Sequence, residues 1–205
     1  MLIGLHNLKI LIAPTLALTH THGIAFAQSP RGLRTIEISA AHQPFLAAVF
    51  TSSAKRLTRI RLGRIAADFE QLIAHLGPLA PQLVVLEAVS TSYKTTSAFM
   101  PSFISKLKSI RTLVIGLEGF EYSRIFTQLG ELNTLRELTI SVDEDFSYLQ
   151  VTTCPSPDSA RDLVTDVEDL RFFSLPAELV YNWPEDGVEV LELEAEEYGV
   201  ELAFT

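Results

Sequence analysis

One six-residue pattern constrains this chain more than any other feature: apolar, two variable positions, apolar, one variable, apolar. It reads "LKILIA" at 8–13, "LRTIEI" at 33–38, "LTRIRL" at 57–62, "LVVLEA" at 83–88, "IRTLVI" at 110–115 and "LRELTI" at 135–140. These copies start 25, 24, 26, 27 and 25 residues apart. A period of this length marks a chain of stacked units, none of which can bury its apolar face alone. The pattern returns as "VEVLEL" at 188–193, 53 residues after the copy at 135, or about two periods. A further copy, "LRFFSL" at 170–175, is out of phase, 35 residues after one neighbour and 18 before the next. Either the long loop "SVDEDFSYLQVTTCPSPD" at 141–158 displaces it, or it is not a strand of the same ladder.

The segments between copies have a different period. Phe45, Leu46, Val49 and Phe50 share one helical face, as do Phe69, Leu72, Ile73 and Leu76. The same holds for Phe103, Ile104 and Leu107, for Tyr122, Ile125, Phe126 and Leu129, and for Ala160, Leu163, Val164 and Val167. Spacings of one, three and four are those of an amphipathic helix. Each unit is therefore expected to be a six-residue strand, a turn, a helix of two to three turns and a short return. Stacked units pair their strands in parallel and carry the helices on the opposite side. The expected fold class is α/β: a right-handed solenoid with a parallel concave sheet and helices on the convex side. About seven to eight degenerate units would fill residues 1–205 as one domain.

The pattern "LxxLxL" at this period resembles that of leucine-rich repeats. The family's apolar positions fall on Leu33, Ile36 and Ile38; on Leu57, Ile60 and Leu62; on Leu83, Leu86 and Ala88; on Ile110, Leu113 and Ile115; and on Leu135, Leu138 and Ile140. The family's asparagine or cysteine after the strand is missing, and Ala41, Ile65, Thr91, Glu118 and Asp143 stand there. The resemblance therefore implies uneven curvature and variable turns. Long, helix-bearing, degenerate units also resemble the repeat region of fungal F-box proteins, which implies substrate recognition for a ubiquitin ligase. "LPAELV" at 175–180 looks like the opening of an F-box, but only 25 residues follow it, where an F-box needs about forty. The F-box itself is read as absent.

Composition excludes several other classes. Hydrophobic residues make up 47% of the 205 and charged residues 20%, as in a globular chain. No stretch reaches the roughly 18–20 apolar residues of a spanning helix, so no membrane partner is expected. Cys154 is the single cysteine, which rules out an intrachain disulfide and a multi-cysteine zinc site. The net charge is −9, but residues 1–100 hold 9 Lys/Arg against 4 Asp/Glu and residues 101–205 hold 7 against 21. A strongly acidic second half argues against nucleic acid as partner.

No phosphate-cradling glycine loop, metalloprotease helix or nucleophile elbow occurs, so no enzyme activity and no cofactor are expected. The histidines of "HTH" at 20–22 read as a polar turn more readily than as half a metal site. His6, His42 and His75 are isolated, and nothing basic flanks Cys154 to activate its thiol. "DEDFSYL" at 143–149 lacks the spacing of a calcium loop, and the hydroxyls of "VSTSYKTTS" at 89–97 read as a loop.

Function then falls to the concave face, where pattern positions three and five point because side chains alternate along a strand. Binding candidates are Thr35, Glu37, Arg59, Arg61, Glu87, Thr112, Glu137 and Thr139. The same rows contain Ile10 and Ile12 at one end and Val190 and Glu192 at the other. Arg59 and Arg61 stand among Glu37 and Glu87. They either satisfy those carboxylates or anchor an acidic or phosphorylated partner segment. A protein partner is expected for a chain that is a monomer or part of a larger complex. The alternative is a structural scaffold or a truncated repeat fragment without its own partner.

The start of the chain carries a second ambiguity. "GLHNLKILIAP" at 4–14, followed by "AFAQS" at 25–29, reads either as the first strand or as a cleaved export signal over 1–27. Its register, 25 residues before Leu33, favours the strand and an intracellular (cytoplasmic or nuclear) protein, whereas a signal would make it secreted. The alternating Glu and apolar residues from 188 onward read as a final strand and a turn at Tyr198–Gly199, with a returning strand at 200–204. Outward glutamates there would keep the sheet edge from pairing.

Overall fold

The computed structural model describes residues 8–18, 32–41, 43–53, 55–65, 69–90, 99–116, 122–141 and 155–205. Its centre is one eight-stranded sheet in which strand order follows chain order. The strands are β1 (Ile10–Leu18), β2 (Thr35–Ala41), β3 (Arg59–Ile65), β4 (Val85–Ser90), β5 (Thr112–Gly116), β6 (Glu137–Ser141), β7 (Phe172–Leu175) and β8 (Glu201–Phe204). Every neighbouring pair is parallel. Parallel neighbours need crossovers of a dozen residues or more, usually helical. The described helices are α1 (Gln43–Ser53), α2 (Phe69–Leu76), α3 (Phe99–Ile104), α4 (Tyr122–Gly130), α5 (Pro157–Asp166), α6 (Ala177–Val180) and α7 (Glu185–Glu197). The expected α/β class with an all-parallel sheet is therefore met.

One register runs across the sheet. Ile36 pairs with Leu11 and Ile60, and the row continues through Leu86, Leu113, Leu138, Phe173 and Leu202. From Ile36 to Phe173 this row is 0–1% exposed. The expected helix faces meet it: Phe45, Leu46, Val49 and Phe50 of α1, Ile125, Phe126 and Leu129 of α4, and Ala160, Leu163 and Val164 of α5 are all buried in the same core. Phe126 packs edge-on to Phe173, with ring centroids 6.2 Å apart at 71°.

The strands enter the sheet in a repeated way. The carbonyl just before each strand from β1 to β6 accepts two N–H groups from the next unit. Arg34 O takes Thr58 N at 2.9 Å and Arg59 N at 3.0 Å, and Arg111 O takes Arg136 N at 2.8 Å and Glu137 N at 2.9 Å. Side chains add bonds between units at the same edge: Gln82 Nε2 donates to Leu57 O at 2.9 Å, Ser109 Oγ to Pro81 O at 2.9 Å, and Thr134 Oγ1 to Ile110 O at 2.7 Å. Ser141 Oγ donates to Ile115 O at 3.4 Å on the far side of the sheet. Of the positions where the family's asparagine would stand, Thr91, Glu118 and Asp143 lie outside the described residues.

The C-terminal end differs from the sequence reading. "VEVLEL" at 188–193 is helix, not strand: it lies within α7. Leu191 and Ala195 are buried while Leu193 is 61% exposed, so the helical spacing of three and four overrides the alternation. Val190 and Glu192 consequently do not stand on the sheet. The segment 170–175 contributes a ladder strand, since β7 pairs with both β6 and β8. Strand β8 does not fold back; it adds in parallel as the eighth rung. Its copy of the pattern, "GVELAF" at 199–204, is hidden because Gly199 stands where the other units have Leu or Ile. Gly199 has φ +68°, the left-handed conformation that ends α7 and turns the chain into β8. α7 is fixed to α5 by Arg161, whose Nε and Nη2 donate to Glu194 Oε2 at 3.0 and 2.9 Å. Gly187 also admits Pro157, whose Cγ lies 3.0 Å from where a Cβ would be.

Two substitutions test these supports in urea unfolding. Phe173→Ala is expected to lower stability by about 3–5 kcal/mol through cavity formation. Gly199→Ala should cost about 1–2 kcal/mol from backbone strain alone, because nothing lies within 4 Å of the added methyl.

Candidate functional site

One face of the sheet is packed against helices, and the other carries pattern positions three and five. The register places the candidates in two rows. The first runs Ile10, Thr35, Arg59, Val85, Thr112, Glu137, Phe172, Glu201. The second runs Ile12, Glu37, Arg61, Glu87, Val114, Thr139, Ser174, Ala203. All eight candidates thus share one face, but the two arginines are separated. Arg61 alone stands between the carboxylates, while Arg59 stands between Thr35 and Val85.

That separation gives the arginines different chemistry. Arg61 Nε lies 2.9 Å from Glu87 Oε1 and Arg61 Nη1 lies 3.9 Å from Glu37 Oε2. Its side chain is 49% exposed, so the pairing satisfies a solvated row and adds little stability. Arg59 is exposed and makes no ion pair among the described residues. Beside it Val85 is 7% exposed, an apolar floor between Arg59 and Thr112. Thr112 donates from Oγ1 to Glu137 Oε2 at 3.0 Å, which orients that carboxylate. Thr139 is half-buried.

The two ends of the face are unlike. At β1, Ile10 and Ile12 are 55% and 59% exposed. Toward β7 the face closes: Ser174 is 1% exposed, and its hydroxyl lies 3.5 Å from that of Thr205. Alternation along the strand predicts an open Ser174, but the strand's local surroundings override it.

On the helix side, a groove of about 220 Å³ between α4 and α5 is lined by Phe126, Thr127, Ser159, Asp162, Leu163 and Asp166. No group of three or more His, Cys, Asp or Glu side chains converges for a metal among the described residues. No described helix is long and apolar enough to cross a membrane. His75 is half-buried in α2. His6, the pair at 20–22, His42, Cys154, the acidic run at 143–149 and the hydroxyl run from 91 to 97 lie outside the described residues.

One further row escaped the sequence reading. Pattern position two, just before each strand, is Lys9, Arg34, Thr58, Val84, Arg111, Arg136 and Arg171 in successive units. Its signal is the recurring "LK", "LR" or "IR" at the head of the motif. The shared entry hydrogen bonds align these residues along one edge of the sheet.

Comparison with protein-family models and with curated proteins finds no significant match. The pairing of Arg61 with Glu87 is open to a double-mutant cycle with Arg61→Ala and Glu87→Ala. A coupling of about 0.2–1 kcal/mol that shrinks with added salt is expected.

Proposed function

We propose that this chain is a non-enzymatic leucine-rich-repeat interaction module that recognises a protein segment through the concave face of its sheet. Arg59 carries the reading. It is an exposed guanidinium with no ion pair among the described residues, set in its row between Thr35 and the apolar floor of Val85, with Thr112 beyond. Arg61, one row away, is already occupied by Glu87. A free cation over an apolar floor fits a carboxylate or phosphate on a partner segment, with the neighbouring rows supplying complementarity. The regular motif and the eight-rung parallel ladder support the family assignment. The degenerate, helix-bearing units support the narrower proposal of substrate recognition for an F-box-type ubiquitin ligase receptor in the cell interior.

Site-specific photo-crosslinking tests this reading. A crosslinker at Thr35 or Val114 is expected to capture a defined protein, and one at the exposed Arg124 of α4 is not. Arg59→Glu should weaken capture roughly tenfold, the loss of one charge-assisted hydrogen bond, with thermal unfolding unchanged. Arg61→Glu puts three carboxylates in one row and should also lower the melting temperature. Capture equal at all three positions, or at none, would leave a structural scaffold as the better account.

A further inference from the structure

The entry edge of the sheet carries a charge boundary that the sheet face does not. Before β2 through β5 the described approach segments read "GLR" (32–34), "KRLT" (55–58), "GPLAPQLV" (77–84) and "SKLKSIR" (105–111). They contain no Asp, no Glu and no aromatic residue. Before β6 and β7 the corresponding segments are "ELNTLR" (131–136) and "DVEDLR" (166–171), and carboxylates appear. The reversal falls between β5 and β6.

On the basic side, Lys9, Arg34, Lys55, Arg56, Lys108 and Arg111 are all exposed. None makes an ion pair among the described residues. On the other side the cations are engaged: Arg136 Nη2 lies 3.8 Å from Asp169 Oδ2, and Arg171 Nη1 donates to Leu170 O at 3.2 Å. The entry hydrogen bonds hold Lys9, Arg34 and Arg111 in line, and with Lys55, Arg56 and Lys108 from the turns before β3 and β5 they form a rim of cations, interrupted at β4, whose approach carries no Lys or Arg. With strands about 4.8 Å apart, β1 to β5 span roughly 19 Å, the length of an extended peptide of about six residues.

From this geometry we infer that the rim from β1 to β5 binds a carboxylate-rich, extended segment of a partner protein. Charge complementarity selects the occupant, since clustered arginines are suited to acidic motifs. A nucleic acid fits less well. Among the described residues the rim offers no aromatic ring on which a base could stack. The inference rests on the reading of the chain as a protein-binding module, but uses residues apart from Arg59 and the sheet rows.

The test is fluorescence anisotropy with a labelled ten-residue peptide of alternating Glu and Ser, and with its Gln/Ser counterpart, at low and raised salt. The Glu peptide is expected to bind and to weaken as salt screens the contacts, and the Gln peptide is not. Joint replacement Arg34→Ala, Arg56→Ala and Arg111→Ala should weaken binding by at least about tenfold. Lys108→Gln with Arg111→Gln gives a milder second variant, and Arg136→Ala with Arg171→Ala should change affinity less than about twofold. Equal binding by the wild type and both rim variants overturns the proposal, as does equal binding of the Gln peptide. Tighter binding of a ten-nucleotide single strand would reassign the rim to nucleic acid. Self-association abolished by the rim variants would reassign it to the acidic half of a second copy. Crosslinking from Thr35 is independent of these outcomes, so a failed rim leaves the sheet-face reading standing.

Discussion

The structure depends on one shared register. From β2 to β7, each strand enters with its neighbour's preceding carbonyl accepting two N–H groups, so equivalent positions of successive units fall side by side. That alignment turns a sequence pattern into a wall of apolar side chains, Ile36 through Phe173, against which the helices pack. No single unit has enough apolar surface to fold alone, so stability is a property of the stack. The same alignment sorts every other position into rows, and those rows determine which charges meet.

Charge pairing follows from the rows. Arg59 and Arg61 are two residues apart and look alike in the sequence. The register gives Arg61 two acidic neighbours and gives Arg59 none. One is therefore a self-satisfied part of the surface, and the other makes no ion pair among the described residues. Position two behaves similarly. Arg34 and Arg111 make no ion pair among the described residues, whereas Arg136 meets Asp169. The overall imbalance between the two halves of the chain thus becomes a boundary at one edge, between β5 and β6.

The C-terminal units show how the stack tolerates irregular parts. A long connection separates β6 from β7, yet β7 joins the ladder because Leu170, Phe173 and Leu175 still supply buried apolar positions. α7 is rich in Glu on its outer side and is held by Arg161 on Glu194 and by the close approach of Gly187 to Pro157. The last strand follows from a glycine in the left-handed region, which stops that helix and redirects the chain.

The motif by itself determined the α/β class, the parallel ladder, the faces of α1, α4 and α5, and which side chains share the open face. These are local matters of period: a repeat of two along a strand, of 3.6 along a helix, and of about 25 between units. The alternating Val and Glu of 188–193 fit a strand as well as a helix, and only packing of Leu191 and Ala195 into the core selected the helix. Strand β8 was hidden because Gly199 breaks the pattern for a backbone reason that no side-chain count reveals. The separation of Arg59 from Arg61, the burial of Ser174 and the lack of ion pairs, among the described residues, at the cations before β1, β2, β3 and β5 likewise required the tertiary structure. Each depends on which residue of the next unit stands alongside, and sequence distance alone does not give that.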